Sequence, residues 1–158
     1  MRKPAAAPHA ASGELARVVA GYGRHYLVET PSGGDLLEAT RRGKRGDVVV
    51  GDLVRVTRGG DRQAVIETIE PRESLLYRAD DFRTKELAAN VEQAVIVFAP
   101  QPAFNIRFVW RALVAAEGAG IASLVVLNKV ELAGADHARA RLAQLQALGH
   151  RPLAVSAK

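Results

Sequence analysis

The 158-residue chain contains no cysteine. That excludes disulfides, cysteine nucleophiles and cysteine-based metal sites within it. The histidines His9, His25, His137 and His150 are scattered without ligand spacing, so no metal site is expected in this stretch. Aromatic residues make up only 5% of the chain, with Trp110 as the single tryptophan. Trp110 sits in an apolar helical stretch and reads as packing rather than recognition. No run of ~18 or more apolar residues occurs, so no membrane span is expected. Residues 1–12 are rich in Ala and Pro and lack the apolar core of a secretory signal. They are expected to form a disordered tail. A phosphate cradle of the form Gly-x-x-x-x-Gly-Lys-Ser/Thr is also missing. The nearest approach, Gly43-Lys44, has Glu38 where the first glycine is needed and Arg45 in place of Ser/Thr.

Apolar residues make up 48% and charged residues 25%, the composition of a soluble globular protein. The cysteine-free composition suits the cytoplasm, and a monomer is expected. The formal net charge of +5 mildly favours a polyanionic partner. Arg41, Arg42, Lys44 and Arg45 fall within five residues and form a compact basic loop. Such a loop is either a solvated surface or a set of phosphate contacts.

The first half reads as short strands. Glu14–Ala20 and His25–Val28 flank the Gly-rich turn Gly21-Tyr22-Gly23-Arg24. Leu36–Ala39 follows the turn Pro31-Ser32-Gly33-Gly34, and Leu53–Thr57 and Gln63–Ile69 alternate apolar with polar residues around Gly59-Gly60-Asp61. Five short β segments in residues 13–71 predict a small closed barrel, an OB-fold by count and size, with an SH3-like barrel as the rival. The charged, mixed stretch 72–90 reads as a linker. Within it, Arg78, Arg83 and Lys85 are expected to form interdomain salt bridges with Asp80, Asp81 and Glu86, the alternative being RNA contact.

The second half, residues 91–158, changes period. Ala94–Ala99 is a continuous apolar run, expected to be a strand buried on both faces. Ile106–Glu117 reads as a helix with Phe108, Val109, Leu113 and Ala116 on an apolar face. Ser123–Leu127 is a second strand. Asp136–Leu148 is a second helix carrying Leu142, Leu145 and Leu148 on one side, and Pro152–Val155 is a third strand. This β-α-β-α-β order predicts a parallel α/β sheet.

In such sheets ligands bind beyond the carboxyl ends of the strands. Here those ends carry Asn128-Lys129-Val130-Glu131 and Ser156-Ala157-Lys158. Taken alone, the first tetrapeptide also fits a strand-to-helix turn capped by Asn128. Together the two segments resemble the base-recognition motifs of GTPases. With no phosphate cradle ahead of them, the phosphate-binding half is either absent or downstream, and a downstream position means a circularly permuted GTPase. The chain from about Gly13 resembles the ribosome small subunit-dependent GTPase A family (RsgA, also called YjeQ or EngC). The likeness runs through Gly21-Tyr22-Gly23-Arg24-His25-Tyr26-Leu27-Val28, Val50-Gly51-Asp52, Leu75-Leu76-Tyr77-Arg78, Arg83-Thr84-Lys85, Ala88-Ala89-Asn90-Val91-Glu92-Gln93, Leu113-Val114-Ala115-Ala116-Glu117 and Val126-Leu127-Asn128-Lys129.

The resemblance implies GTP hydrolysis with Mg2+, coupled to late maturation of the 30S subunit, with 16S rRNA contacted through the barrel. It also implies a C-terminal zinc module, for which this cysteine-free chain has no ligands. By resemblance, Glu131 would accept the two adjacent N–H donors of guanine in a charge-assisted pair. Asn128 would tie the loop and contact the base, and the Lys129 stem would lie along the base plane. The Ala157 N–H would donate to guanine O6, with Ser156 and Lys158 completing that loop. The family carries Asp where this chain has Glu131, which adds a methylene of reach. For RNA contact, Tyr22, Arg24 and His25 of the first turn are the candidates, together with Arg41, Arg42, Lys44 and Arg45. The alternative for Tyr22 is that it covers the barrel end. Two other readings are a non-catalytic RNA-binding OB module with a degenerate nucleotide fold, and an α/β nucleotide enzyme of another kind.

Overall fold

Period-two burial runs through the first half of the chain and closes a barrel. The computed structural model describes residues 13–31, 34–41, 48–79, 84–102 and 105–157. The basic positions Arg42, Lys44 and Arg45, like Lys158, lie outside the described residues. The chain divides into two compact units, Met1–Asn90 and Val91–Lys158.

In the first unit, β1 (Glu14–Tyr22), β2 (His25–Glu29), β3 (Leu36–Arg41), β4 (Leu53–Gly60) and β5 (Gln63–Ile69) begin at the expected residues. They form a closed barrel in the order β1-β2-β3-β5-β4. β1 pairs antiparallel with both β2 and β4, and β3 pairs parallel with β5. That ring is the OB-type barrel. Alternate residues Ala16, Val18, Val28, Leu37, Val54, Val56 and Ile66 point inward and are buried. Each buried Val, Leu or Ile contributes roughly 1.5–3 kcal/mol. Register shifts in β1 and β4 supply the extra bend that closure needs.

The stretch read as a linker carries an antiparallel hairpin, β6 (Leu75–Ala79) and β7 (Thr84–Ala89). A buried ion pair fastens it to the barrel. Asp52 is fully buried and accepts Arg72 Nε at 2.7 Å and Nη2 at 3.0 Å. It also accepts the Val49 N–H at 2.8 Å, while Arg72 Nη1 reaches Glu86 of β7 at 2.8 Å. Hydrogen bonding to Asp52, and then to Glu86, holds the Arg72 guanidinium above its ordinary pKa against the opposing effect of burial. The Ala89 N–H donates to the Val50 carbonyl at 2.9 Å, and Asn90 Nδ2 donates to the Gly51 carbonyl at 2.9 Å. Gly51 has φ +92°, and a Cβ there would lie 2.0 Å from the Ala89 carbonyl oxygen. Only glycine fits that approach. Glu86 thus pairs within its own unit, with Arg72, and not across domains as expected. Arg83, Asp80 and Asp81 lie outside the described residues.

In the second unit, β8 (Gln93–Phe98), α1 (Ile106–Gly118), β9 (Ala122–Leu127), α2 (Ala135–Gln146) and β10 (Leu153–Ala154) follow the expected order. The sheet is parallel, in the order β10-β9-β8. Ile96, Phe98, Val125 and Leu127 of the sheet pack on Val109 and Leu113 of α1 and on Leu142 and Leu145 of α2, with Trp110 half-buried beside them. Trp110 therefore serves packing, as its helix predicted. Contrary to expectation, β8 is covered on one face only: Val95 and Val97 are 51% and 56% exposed. The strand order steps steadily from β8 to β10, so crossovers of one hand put both helices on one side of the sheet. Leu148 is also exposed, because α2 ends at Gln146 and the chain turns away through Gly149 at φ +87°.

Candidate nucleotide-binding site

The carboxyl ends of the three parallel strands deliver three loops to one edge of the second unit. Asn128, directly after β9, donates its backbone N–H to the Phe98 carbonyl that ends β8, at 2.8 Å. Val155, directly after β10, donates to the Leu127 carbonyl at 2.8 Å, and Val130 donates back to the Val155 carbonyl at 3.3 Å. The loop after β8 joins them: Gln101 Nε2 donates to the Ala133 carbonyl at 3.4 Å.

Asn128 is the hub. Its Oδ1 accepts the Lys129 N–H at 2.7 Å and the Ala157 N–H at 3.0 Å. The first bond turns the chain so that Lys129 adopts a left-handed φ of 59°. The second ties the Asn128 loop to the Ser156 loop. Asn128 is not a helix cap, for α2 is preceded by Gly134 at N-cap with φ +93° and no side-chain bond. Asn128 thus holds the turn after β9 without capping α2. Lys129, Glu131, Ser156 and Ala157 are exposed along this edge, and Asn128 is half-buried beneath them. The Ala157 N–H, expected to serve a ligand oxygen, is held by Asn128 in this structure.

Residues 69–158, more than half of the chain, match the family model described as RsgA GTPase. The chain belongs to the RsgA GTPase family. A relative from Ralstonia nicotianae, named small ribosomal subunit biogenesis GTPase RsgA, is 46% identical over 149 residues, which cover 94% of this chain and 46% of that protein. The chain spans about half the length of the curated relatives it matches. Among solved structures, YjeQ from Thermotoga maritima aligns with TM-score 0.65 at 24% identity, over 90% of this chain and 51% of that one. YloQ, titled a circularly permuted GTPase, aligns with TM-score 0.64 at 22% identity, over 97% of this chain and 55% of that one. These likenesses bear on fold: barrel first, then the parallel sheet with its motif-bearing loops, as in the RsgA family.

The barrel candidates belong to the first unit. Tyr22 ends β1 and is 71% exposed, so it does not cover the barrel end. Arg24 and His25 follow it in the exposed turn, where Gly23 takes φ +73°. A cavity of about 420 Å³ opens beside this turn, lined by Gly21, Gly23, Tyr26, Thr84, Lys85 and Glu86. Arg41 ends β3 and is half-buried. The β2–β3 surface that OB-folds commonly offer to nucleic acids exposes Glu29 and Glu38 here. Sequence reading did not single out that acidic face, the loop at Pro100-Gln101, or the Asp52–Arg72 pair. Glu29 and Glu38 were visible in the strand alternation. The other two features depend on contacts distant in sequence.

Proposed function

We propose that this chain forms the RNA-contacting and base-recognising part of a GTPase that acts in late maturation of the small ribosomal subunit. The observation that carries the reading is the Asn128–Ala157 hydrogen bond, which joins the two motif loops into one edge at 3.0 Å. On this reading GTP or GDP presents its guanine to that edge. Glu131 accepts guanine N1–H and the exocyclic amine, a pair of donors that adenine lacks. Lys129 lays its aliphatic stem along the ring, and Asn128 holds the slot together. The Ala157 N–H donates to O6 by sharing its hydrogen between O6 and Asn128 Oδ1, with Ser156 and Lys158 flanking it. The extra methylene of Glu131 extends the carboxylate further than the family's Asp.

The phosphates and Mg2+ need other residues. The sequence has no phosphate cradle, and among the described residues no three His, Cys, Asp or Glu side chains gather as a metal-holding group. On this reading the phosphates and Mg2+ are held, and GTP is hydrolysed, by the rest of the whole protein. The same reasoning applies to the zinc module that the family implies. On the RNA side, Tyr22, Arg24 and His25 contact 16S rRNA, and the basic positions Arg41, Arg42, Lys44 and Arg45 supply phosphate contacts. The acidic β2–β3 surface favours the turn over the face as the contact. We place the protein in the cytoplasm as a monomer; among the described residues no helix is long and apolar enough to cross a membrane.

The test is nucleotide binding by the whole protein, GTP against ATP and XTP. A preference for GTP that weakens when Asn128 or Glu131 is changed supports the assignment. Equal binding of GTP and ATP overturns it.

A further inference from the structure

The outer face of α1 is built against the helix's own interest. Arg107, Phe108, Arg111 and Val114 are all exposed, and the 3.6-residue period sets them on one side. Phe108 is 62% exposed and Val114 67%. Arg107 and Arg111 stand four residues apart, so two like charges share one stripe, which weakens a helix. The first turn carries no acidic residue, and Arg107 there faces the positive end of the helix dipole. Neither arginine takes part in an ion pair among the described residues. Local choices that cost stability without an internal return mark sites of function.

We infer that this face of α1 is a second RNA-docking surface, separate from the barrel turn, that takes a single-stranded or looped stretch of RNA. The commitment to RNA rests on charge and shape. Two unpaired guanidiniums about 6 Å apart along the axis fit successive phosphates of one strand. Phe108 lies between them in sequence, and its exposed ring offers a stacking platform for an unpaired base. Val114 extends the apolar part of the stripe towards the sugar. A protein partner, whose interfaces also favour Arg and aromatic side chains, is the competing occupant that the crosslinking experiment separates from RNA.

The inference rests on the reading that the protein works on small-subunit RNA, and the experiment separates the two. The whole protein is titrated with 16S rRNA and with small subunits over a range of salt. Three variants are compared: Arg107→Ala with Arg111→Ala, Phe108→Ala, and Arg24→Ala in the barrel. The double variant is expected to lower the slope of log affinity against log salt by about 1.4, the value for two single-strand phosphate contacts. Phe108→Ala is expected to weaken binding roughly five- to hundredfold. Both are expected to keep wild-type guanine-nucleotide binding, and Arg107→Lys with Arg111→Lys is expected to keep most of the slope. If the wild type binds RNA and Arg24→Ala weakens it while the α1 variants match the wild type, the α1 surface is overturned and the functional reading stands. If the wild type does not bind small-subunit RNA at all, both fall. A photoreactive Phe108→p-benzoylphenylalanine protein that crosslinks to a ribosomal protein instead of RNA also overturns the α1 assignment.

Discussion

Asn128 Oδ1 accepts the backbone N–H of Ala157 at 3.0 Å across 29 residues of sequence. One side-chain oxygen thus fastens two loops that belong to different strands. Its remaining Nδ2 group is left for other work.

Replacing Asn128 by Ala removes the acceptor of both the Lys129 and the Ala157 N–H groups. Because the site is at the surface, water compensates in part and fold stability falls by only ~0.5–1.5 kcal/mol. The slot itself loosens, and guanine-nucleotide affinity of the whole protein is expected to fall at least about tenfold, or ~1.4 kcal/mol. Calorimetric titration with GDP checks this. Unchanged affinity removes Asn128 from the site.

Glu131→Ala and Glu131→Asp are expected to part company. Loss of the carboxylate removes two charge-assisted bonds and costs about a hundredfold or more in guanine affinity. Asp keeps the charge and stays within about tenfold of the wild type. Equal losses for both variants, or none for Ala, would exclude Glu131 as the base reader.

Arg72→Ala strands Asp52, which is fully buried, with only the Val49 N–H among its described partners. A buried charge left without its counterion costs ~3–5 kcal/mol. Urea unfolding followed by far-ultraviolet circular dichroism is expected to show an earlier transition of the barrel unit. A shift under about 1 kcal/mol would mean that Asp52 is not left uncompensated when Arg72 is lost.

Gly51→Ala places a methyl group on the Ala89 carbonyl and forces a side chain into φ +92°. The expected cost exceeds ~1 kcal/mol. The hairpin amides near Ala89 are expected to lose hydrogen-exchange protection before those of the barrel strands. Full protection there would show that the backbone relaxes to make room.

For the barrel, Tyr22→Ala and Arg24→Ala are expected to weaken rRNA binding, with a smaller salt slope only for the arginine change. Neutralising Glu29 and Glu38 together to Gln is expected to leave specific binding intact and to raise non-specific binding. Loss of specific binding in that double variant would move the contact onto the β2–β3 face.

Local signals were legible in the sequence. Alternation located the barrel strands from their first residues, and the apolar runs at 94–99 and 123–127 gave the parallel pair β8 (Gln93–Phe98) and β9 (Ala122–Leu127) to within one residue. The two motif loops sit at strand ends because parallel strands all finish on one edge. What stayed hidden was long-range. The hairpin within 72–90 looked like a linker because its pattern is mixed and its charges were expected to pair across the domains. One of them, Arg72, instead meets Asp52 at a separation of 20 residues and Glu86 at 14, a pairing with no local pattern. The exposure of Val95 and Val97 depends on which side the helices take, and an apolar run alone does not encode that.

The barrel's ring of pairings sets an order in time. β1 needs β4, and β3 needs β5, so the first strands stay half-satisfied until Ile69 has been synthesised. From that residue on, the circle can shut without waiting for anything after Val91. A nascent chain would then expose a finished barrel while its parallel strands are still leaving the ribosome.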